Sequence, residues 1–200
     1  MAQLQNAPQQ RPAGRSARIG EAVARATVEL ITEGGVSSLT FENVATRADV
    51  NRTTLYRRWG NKSRLLTWVM LEFMADEAPA PDSGSLEKDL FEMVMSLSSA
   101  IASPVGAAFM QVVLLESRHD AVVAAAVQSY WQQRLALAEP IYTRAVARGE
   151  LDGTIDYEFL ADLVFGPMFY HSIRTGRAIQ AKYAKRIIET TLRHARASSE

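Results

Sequence analysis

The sequence contains no cysteine among its 200 residues. Disulfide bonds and thiolate sites are therefore excluded, which fits a reducing cytoplasm. The chain also lacks any run of roughly 20 apolar residues, so we expect no membrane-spanning helix. Its first 18 residues hold no apolar stretch, and we expect no secretory signal. With 48% hydrophobic residues, the chain can still bury a substantial core in one or two domains.

The sequence signatures of several enzyme classes are also missing. There is no H-E-x-x-H motif, no G-x-S-x-G motif and no glycine-rich phosphate loop. Glu116 and His119 form one Glu-x-x-His pair of the kind that binds iron in helical bundles, but such a site needs two pairs. Neither His171 nor His194 has a Glu three residues before it. We predict no catalytic residues, no metal site and no cofactor, and keep an all-helical di-iron type enzyme as an alternative.

Two short helices with separate start signals are predicted after residue 39. The first is capped by Thr40 and the second by Asn51, since their side-chain oxygens can accept hydrogen bonds from free backbone N–H groups. Apolar pairs flank both caps at the spacing of a hydrophobic staple, namely Leu39 with Val44 and Val50 with Leu55. The connection between the helices is about three residues long, as in a helix-turn-helix.

The second of these helices carries side chains suited to DNA. Leu55 faces inward, which leaves Arg52, Thr53, Tyr56 and Arg57 on the outer face. Arginine reads guanine edges, and threonine and tyrosine hydroxyls contact bases or phosphates. A solvated charged surface is the alternative interpretation. The predicted DNA-binding residues are Thr40, Arg52, Thr53, Thr54, Tyr56, Arg57, Arg58 and Lys62, the last as a phosphate contact in the first turn of the next helix.

Charge is divided unevenly although the chain is neutral overall. Residues 1–75 hold ten Lys and Arg against six Asp and Glu, and residues 76–200 hold twelve against sixteen, so the two parts carry +4 and −4. This division places a basic module with the helix-turn-helix and an acidic body after it. A non-specific architectural DNA-binding protein remains a further alternative, but the neutral total disfavours it, because it would need a larger basic surface.

The segment from Thr40 to Leu66 resembles the DNA-binding domain of the TetR family of bacterial transcriptional regulators. The residues that match the family pattern are Thr40, Val44, Ala45, Ala48, Val50, Thr54, Leu55, Tyr56, Trp59, Lys62 and Leu65. Three positions depart from it: Asp49 replaces the usual turn glycine, Asn51 the usual serine, and Arg58 a frequent histidine. Asparagine caps helices well, and aspartate tolerates left-handed backbone better than most residues, so we expect the fold to be retained.

The resemblance implies an all-α protein with an N-terminal helix-turn-helix DNA-binding domain and a C-terminal helical ligand-binding and dimerisation domain. It implies a homodimer that binds a palindromic, inverted-repeat operator on double-stranded DNA and is released by a small-molecule effector. Repression rather than activation comes from the resemblance alone.

Composition and helical periodicity divide the chain into four segments. We predict a disordered arm at residues 1–15, the DNA-binding domain at 16–76, a proline- and glycine-containing linker at 77–85, and the second domain at 86–200. The basic arm, with Arg11, Arg15 and the nearby Arg18, either reaches into a minor groove or is an ordinary frayed terminus. The helices predicted after the linker are 86–102, 105–116, 120–148, 156–175 and 178–196, with Pro140 kinking or dividing the third.

Residues 159–170, FLADLVFGPMFY, are apolar on every side of a helix and must be covered all round. We predict that this helix and the last one form a four-helix dimer bundle, with an ordinary intrachain core as the alternative. The predicted dimer-interface residues are Phe159, Leu163, Phe165, Phe169, Tyr183 and Ile187.

A largely apolar ligand cavity is implied by the family and only weakly by the residues. The predicted lining is Met93, Leu97, Phe109, Met110, Gln128, Trp131, Phe165, Met168, Phe169 and His171, with Tyr130 and Arg174 as further polar groups. Most of these side chains are expected to be core, because methionines and aromatics at helical spacing usually are.

Overall fold

The structure is a computed structural model that describes residues 13–75 and 80–197. Within these ranges it contains α-helices and one short 3-10 turn and no strand, which confirms the all-α fold class. The chain divides after Lys62 into two compact units, residues 1–62 and 63–200. Most of the predicted arm, including Arg11, lies outside the described residues.

Nine helices are described in these ranges. They are α1 Ala13–Gly34, α2 Phe41–Ala48, α3 Arg52–Trp59, α4 Lys62–Ala75, α5 Leu86–Ala102, α6 Pro104–Leu115, α7 Ala121–Ala147, α8 Tyr157–Thr175 and α9 Ala181–Ala197, and the 3-10 turn is Val36–Ser38. Helix α1 begins three residues before the expected start at Ser16, so residues 13–15 are helical rather than part of an arm. Helix α9 begins three residues later than expected.

The division after Lys62 differs from the predicted boundary at residues 77–85. Apart from its first residue, α4 belongs to the C-terminal unit. One reason is an ion pair in which Arg64 Nε lies 2.8 Å from Asp120 Oδ2. Asp120 also caps α7 by accepting from the backbone N–H of Val122 at 2.9 Å. The pair therefore ties α4 to the start of α7.

The N-terminal unit is built around the contact of α1 with α2 and of α2 with α3. Both predicted caps are present: Thr40 Oγ1 accepts from the N–H of Asn43 at 3.1 Å, and Asn51 Oδ1 accepts from the N–H of Thr53 at 2.8 Å. Between them, Asp49 ends α2 with φ 52° and ψ 49°. The left-handed backbone expected at this position is confirmed, and the connection between the helices is three residues long.

Helix α5 lies at the centre of the C-terminal unit, where it packs on α6, α7, α8 and α9. Two of its contacts join distant parts of the chain. The N–H of Leu86 donates to Glu150 Oε2 at 2.9 Å, whereas Ser85 at the cap position makes no side-chain bond. The N–H of Ile179 donates to Ser98 Oγ at 2.9 Å. Helix α5 is thus capped by the α7–α8 loop and holds the segment that leads into α9.

Two prolines lie inside helices of this unit. We predicted that Pro140 kinks or divides α7; the helix continues through it, so a division is excluded. Ala136, whose carbonyl loses its helical partner there, is exposed and can be hydrated. In α8, Pro167 has no N–H for the carbonyl of Leu163, and the hydroxyl of Thr191 on α9 donates to that oxygen at 3.5 Å. A side chain of α9 therefore replaces a bond that α8 lacks.

Helices α5 and α6 meet at a sharp corner of 82°. Gly106 lies at this corner, where a Cβ would be 2.1 Å from the carbonyl oxygen of Ala100. In the described ranges, no single helix has the length and apolarity needed to cross a membrane, and only the bent pair α5 and α6 meets that test together.

Candidate nucleic-acid interface and cavity

Helix α3 is anchored on one side and exposed on the other. Leu55 and Trp59 are 0% and 6% exposed, whereas Arg52, Tyr56 and Arg57 are exposed. The Asn51 cap fixes where the helix starts, so the exposed side chains occupy defined positions along it. One short helix therefore presents two guanidinium groups and a phenol on a single outer surface.

Arg52 is held by two side chains. Its Nη1 lies 2.5 Å from Glu42 Oε1 on α2, and its Nη2 donates to the Tyr56 hydroxyl at 3.0 Å. The hydrogen bond to Tyr56 and the charge of Glu42 raise the pKa of the guanidinium. The Tyr56 ring meets Phe41 edge-on with centroids 4.7 Å apart. Glu42 was not predicted as part of this surface, because its contact with Arg52 joins two helices and leaves no local signal.

The three candidate threonines occupy different environments. The Thr40 hydroxyl is occupied by its capping bond, although the residue is exposed. The hydroxyl of Thr53 donates to the side chain of Asn51 and so belongs to the cap of α3. Thr54 is half-buried. Thr40 and Thr53 are thus exposed residues whose hydroxyls take part in the caps of α2 and α3.

The two remaining candidate cations differ in their surroundings. Arg58 donates to the backbone carbonyl of Ser16 at 3.0 Å, and its guanidinium carbon lies 4.9 Å from the Trp59 ring centroid. Arg58 thus joins α3 to the start of α1. Lys62 is exposed at the first position of α4, where backbone N–H groups have no helical partner.

The C-terminal unit contains a cavity of about 160 Å³ between α5, α7 and α8. Its lining residues are Met93, Leu97, Trp131, Arg134, Leu135, Ala138, Ala161, Asp162, Phe165 and Phe169. The rings of Trp131 and Phe169 meet edge-on with centroids 5.1 Å apart. The wall is thus largely apolar and aromatic, with one guanidinium and one carboxylate.

The structure brings five of the ten predicted ligand residues to this cavity: Met93, Leu97, Trp131, Phe165 and Phe169. The other five lie elsewhere: Phe109 and Met168 are buried core, Met110 lines a different cavity, Gln128 is exposed, and His171 stacks 5.0 Å from the Tyr183 ring. Arg134 and Asp162 were not predicted to line this cavity. Helical spacing could have found both, because each lies three residues from an aromatic lining residue.

The predicted dimer-interface residues divide into two groups. Phe159 and Tyr183 are exposed by 57% and 37%, whereas Phe165 and Phe169 line the cavity and Ile187 is buried. Leu163 is half-buried. Two large apolar residues of α8 that were not predicted, Tyr170 and Ile173, are exposed by 65% and 54%.

The Glu116 and His119 pair lies in the turn after α6, and both residues are exposed. Across the described part of the chain, no three His, Cys, Asp or Glu side chains form a group that could hold a metal ion.

A capped two-helix motif with an exposed, arginine-bearing second helix defines a helix-turn-helix DNA-binding protein. Comparison with known families agrees. Residues 24–67 match the model of bacterial regulatory proteins of the tetR family, and residues 80–191 match the tetracyclin repressor-like C-terminal domain. The chain belongs to the TetR family and is a DNA-binding transcriptional regulator.

Individual relatives are similar over most of their length. The chain is 38% identical to the HTH-type transcriptional regulator AqdR of Rhodococcus erythropolis over 147 residues, which are 74% of this chain and 70% of AqdR. It is 23% identical to the DNA-binding transcriptional repressor TetR of Mycobacteroides abscessus over 173 residues, 86% and 90% of the two chains. The crystal structure of the TetR family regulator SCO0332 superposes with a TM-score of 0.71 at 25% identity, covering 88% and 97% of the chains.

Proposed function

We propose that this regulator is a cytoplasmic homodimeric repressor that occupies an inverted-repeat operator and leaves it when a small, largely apolar ligand binds. The observation that carries the proposal is the outer surface of α3, where Arg52, Tyr56 and Arg57 are exposed on a helix with a fixed start. The protein acts by binding, without a catalytic site or cofactor of its own.

Repression is supported by a relative. The similar protein of Mycobacteroides abscessus is named a repressor, and its match covers 86% of this chain. A protein that covers a promoter needs only to bind there, which α3 and the charge of the N-terminal part favour.

Dimerisation is supported by the apolar surface of α8. Phe159, Tyr170 and Ile173 are each more than half exposed, and their spacing of eleven and three residues places them on one side of the helix. Tyr183 of α9 adds to the exposed apolar residues. For two copies of α3 to enter successive major grooves they must lie about 34 to 36 Å apart, so we expect half-sites about one helical turn, or a multiple of it, apart.

Ligand release is supported by the cavity between α5, α7 and α8. A volume of about 160 Å³ is smaller than most ligand pockets and suits a molecule of one aromatic ring. Trp131 and Phe169, whose rings lie edge-on to each other in the wall, offer aromatic surfaces against which such a ring can pack.

Arginine and lysine variants test the DNA-binding surface. An operator is first recovered by selection from a random duplex pool, and binding to it and to a scrambled duplex is then titrated at several salt concentrations. Arg52→Ala should weaken operator binding about tenfold to hundredfold and relax preference at one or two bases. Lys62→Ala should weaken binding to both duplexes and lower the salt slope by roughly one unit, because a phosphate contact carries no sequence information.

The control is Arg25→Ala, which removes one exposed cation of α1 in the same unit. It should leave base preference unchanged. If Arg52→Ala and Lys62→Ala bind both duplexes like the unmodified protein, α3 and the start of α4 do not contact DNA.

A further inference from the structure

Both terminal nitrogens of Arg52 already have partners in the DNA-free protein. Glu42 of α2 holds Nη1, and the Tyr56 hydroxyl holds Nη2. The guanidinium carbon also lies 5.2 Å from the centroid of the Tyr56 ring. Phe41 packs edge-on against that ring. Arg52 is therefore held at one place on the surface where α2 and α3 meet.

Glu42 also cancels the charge of Arg52. A guanidinium paired with a carboxylate attracts a phosphate weakly, because the pair is neutral as a whole. Contact with a phosphate would exchange one anionic partner for another and release little net energy. A guanine edge offers two acceptors, O6 and N7, which match the geometry of the guanidinium. Guanine is neutral and can accept from the N–H groups of Arg52 that Glu42 and Tyr56 leave, with the ion pair kept, whereas an anionic phosphate is repelled by the carboxylate. The carboxylate therefore disfavours a phosphate contact more than a guanine contact.

We propose that Glu42 is a positioning residue that determines specificity: by pairing with Arg52 it keeps the guanidinium from phosphates and leaves its remaining N–H donors to guanine. This inference rests on the proposed base-reading role of Arg52. Glu42 acts through Arg52 and contacts no base itself. Its contribution is to weaken binding to non-operator DNA.

A second exposed ion pair in the same unit supplies a matched control. Arg47 Nη2 lies 2.8 Å from Glu33 Oε2 and its Nη1 lies 3.2 Å from Glu29 Oε2, and both pairs join α2 to α1. The side chains of Glu42 and Glu33 are 52% and 61% exposed. Glu42→Gln and Glu33→Gln each remove one negative charge and weaken one arginine pair, but only the first concerns Arg52.

The experiment measures binding of the full chain to the selected operator and to a scrambled duplex, between about 50 and 200 mM salt. Glu42→Gln should raise affinity for the scrambled duplex about tenfold at the lowest salt and steepen its salt slope by roughly one unit, because Arg52 becomes free to replace a counterion. Operator affinity should change less than about threefold, so the specificity ratio falls. Glu33→Gln should leave the specificity ratio unchanged.

The double variant Glu42→Gln with Arg52→Ala separates the possible mechanisms. If Glu42 acts through Arg52, its substitution has no effect on specificity once Arg52 is absent. An equal loss of specificity with and without Arg52 would mean that Glu42 repels phosphates directly, and would overturn the inference. So would a loss as large in Glu33→Gln, or an unchanged ratio in a Glu42→Gln protein that unfolds at the same temperature as the unmodified one. If Arg52→Ala alone leaves operator binding intact, the proposed role of Arg52 fails, and this inference fails with it.

Discussion

Asp49 holds the tight turn of the helix-turn-helix in a conformation that suits glycine better than aspartate. Its φ of 52° is the only positive value at a non-glycine residue in the described ranges. A left-handed residue with a Cβ carries a cost of about 1 to 2 kcal/mol, which glycine avoids and aspartate partly offsets. Asp49→Gly should therefore raise the free energy of unfolding by up to about 1 kcal/mol, and Asp49→Ala should lower it by about 1 kcal/mol.

Urea unfolding of the full chain, followed by circular dichroism, measures both changes. Ala48→Gly is the matched control, since residue 48 is the last helical residue of α2. Glycine at residue 48 should lower the free energy of unfolding by up to about 1 kcal/mol, because glycine loses more backbone entropy in a helix than alanine does. A stabilising Ala48→Gly or a destabilising Asp49→Gly would contradict the account of this turn.

The corner between helices α5 and α6 requires glycine at residue 106, because there is no room there for a Cβ. A Cβ there would lie 2.1 Å from the Ala100 oxygen and 2.8 Å from the Ile101 Cα, both of which are backbone atoms. Neither can move without opening the corner. Gly106→Ala should therefore lower the free energy of unfolding by about 3 kcal/mol.

Thermal and urea unfolding of the variant check this value. The same exchange at Gly14 provides the comparison, because that glycine is helical and nothing lies within 4 Å of its Cβ position. Gly14→Ala should be neutral or stabilising by up to about 1 kcal/mol. Equal effects at the two glycines would show that helix propensity, rather than close approach, determines the cost.

The helices themselves could largely be predicted, because their signals are local. Thr40 and Asn51 accept the predicted capping bonds, Asp120 and Asp156 cap the helices predicted to begin there, and α5 has the predicted bounds. The sides of α8 could not be predicted, because a helix that is apolar all round gives no pattern that separates cavity, core and outer surface. Side-chain contacts between separate helices, such as that of Glu42 with Arg52, could not be predicted either.

The whole molecule is expected to form a homodimer through the exposed apolar surface of α8. Tyr170→Glu should convert the proposed dimer to a monomer, because a carboxylate buried there without a partner costs about 3 kcal/mol or more. Sedimentation equilibrium at micromolar concentration measures the change. Leu115→Glu is the control, since Leu115 is 64% exposed at the end of α6, outside the proposed interface.

If Leu115→Glu dissociates the protein as well, the interface includes α6. A wild-type monomer in the same measurement would remove the basis for an inverted-repeat operator, because a single copy of α3 reads only one half-site.

The proposed release by ligand requires that binding of the ligand and binding of the operator oppose each other. An aromatic compound of one ring that binds the cavity should lower operator affinity by about 1 to 3 kcal/mol, and operator must lower the affinity for the compound by the same factor. Calorimetry with and without operator measures this, beginning with a screen of such compounds. Ala161→Leu should fill the cavity and abolish binding of the compound while leaving operator affinity unchanged. Binding that is equal with and without operator would show that the compound is not an effector.

The cap that Glu150 places on α5 has a consequence for synthesis. The N-terminal unit is complete once residue 62 has left the ribosome, and the bond that joins Arg58 of α3 to Ser16 of α1 spans 42 residues. Helix α5 cannot gain this cap until Glu150, 64 residues after Leu86, has been synthesised. The bond between Ile179 and Ser98 spans 81 residues. Because contacts between distant residues form late, we expect the nascent C-terminal unit to stay open until translation is nearly finished. A chain released early would contain a folded helix α3 together with a C-terminal unit that has not yet folded. Such a chain is a substrate for chaperones and proteases.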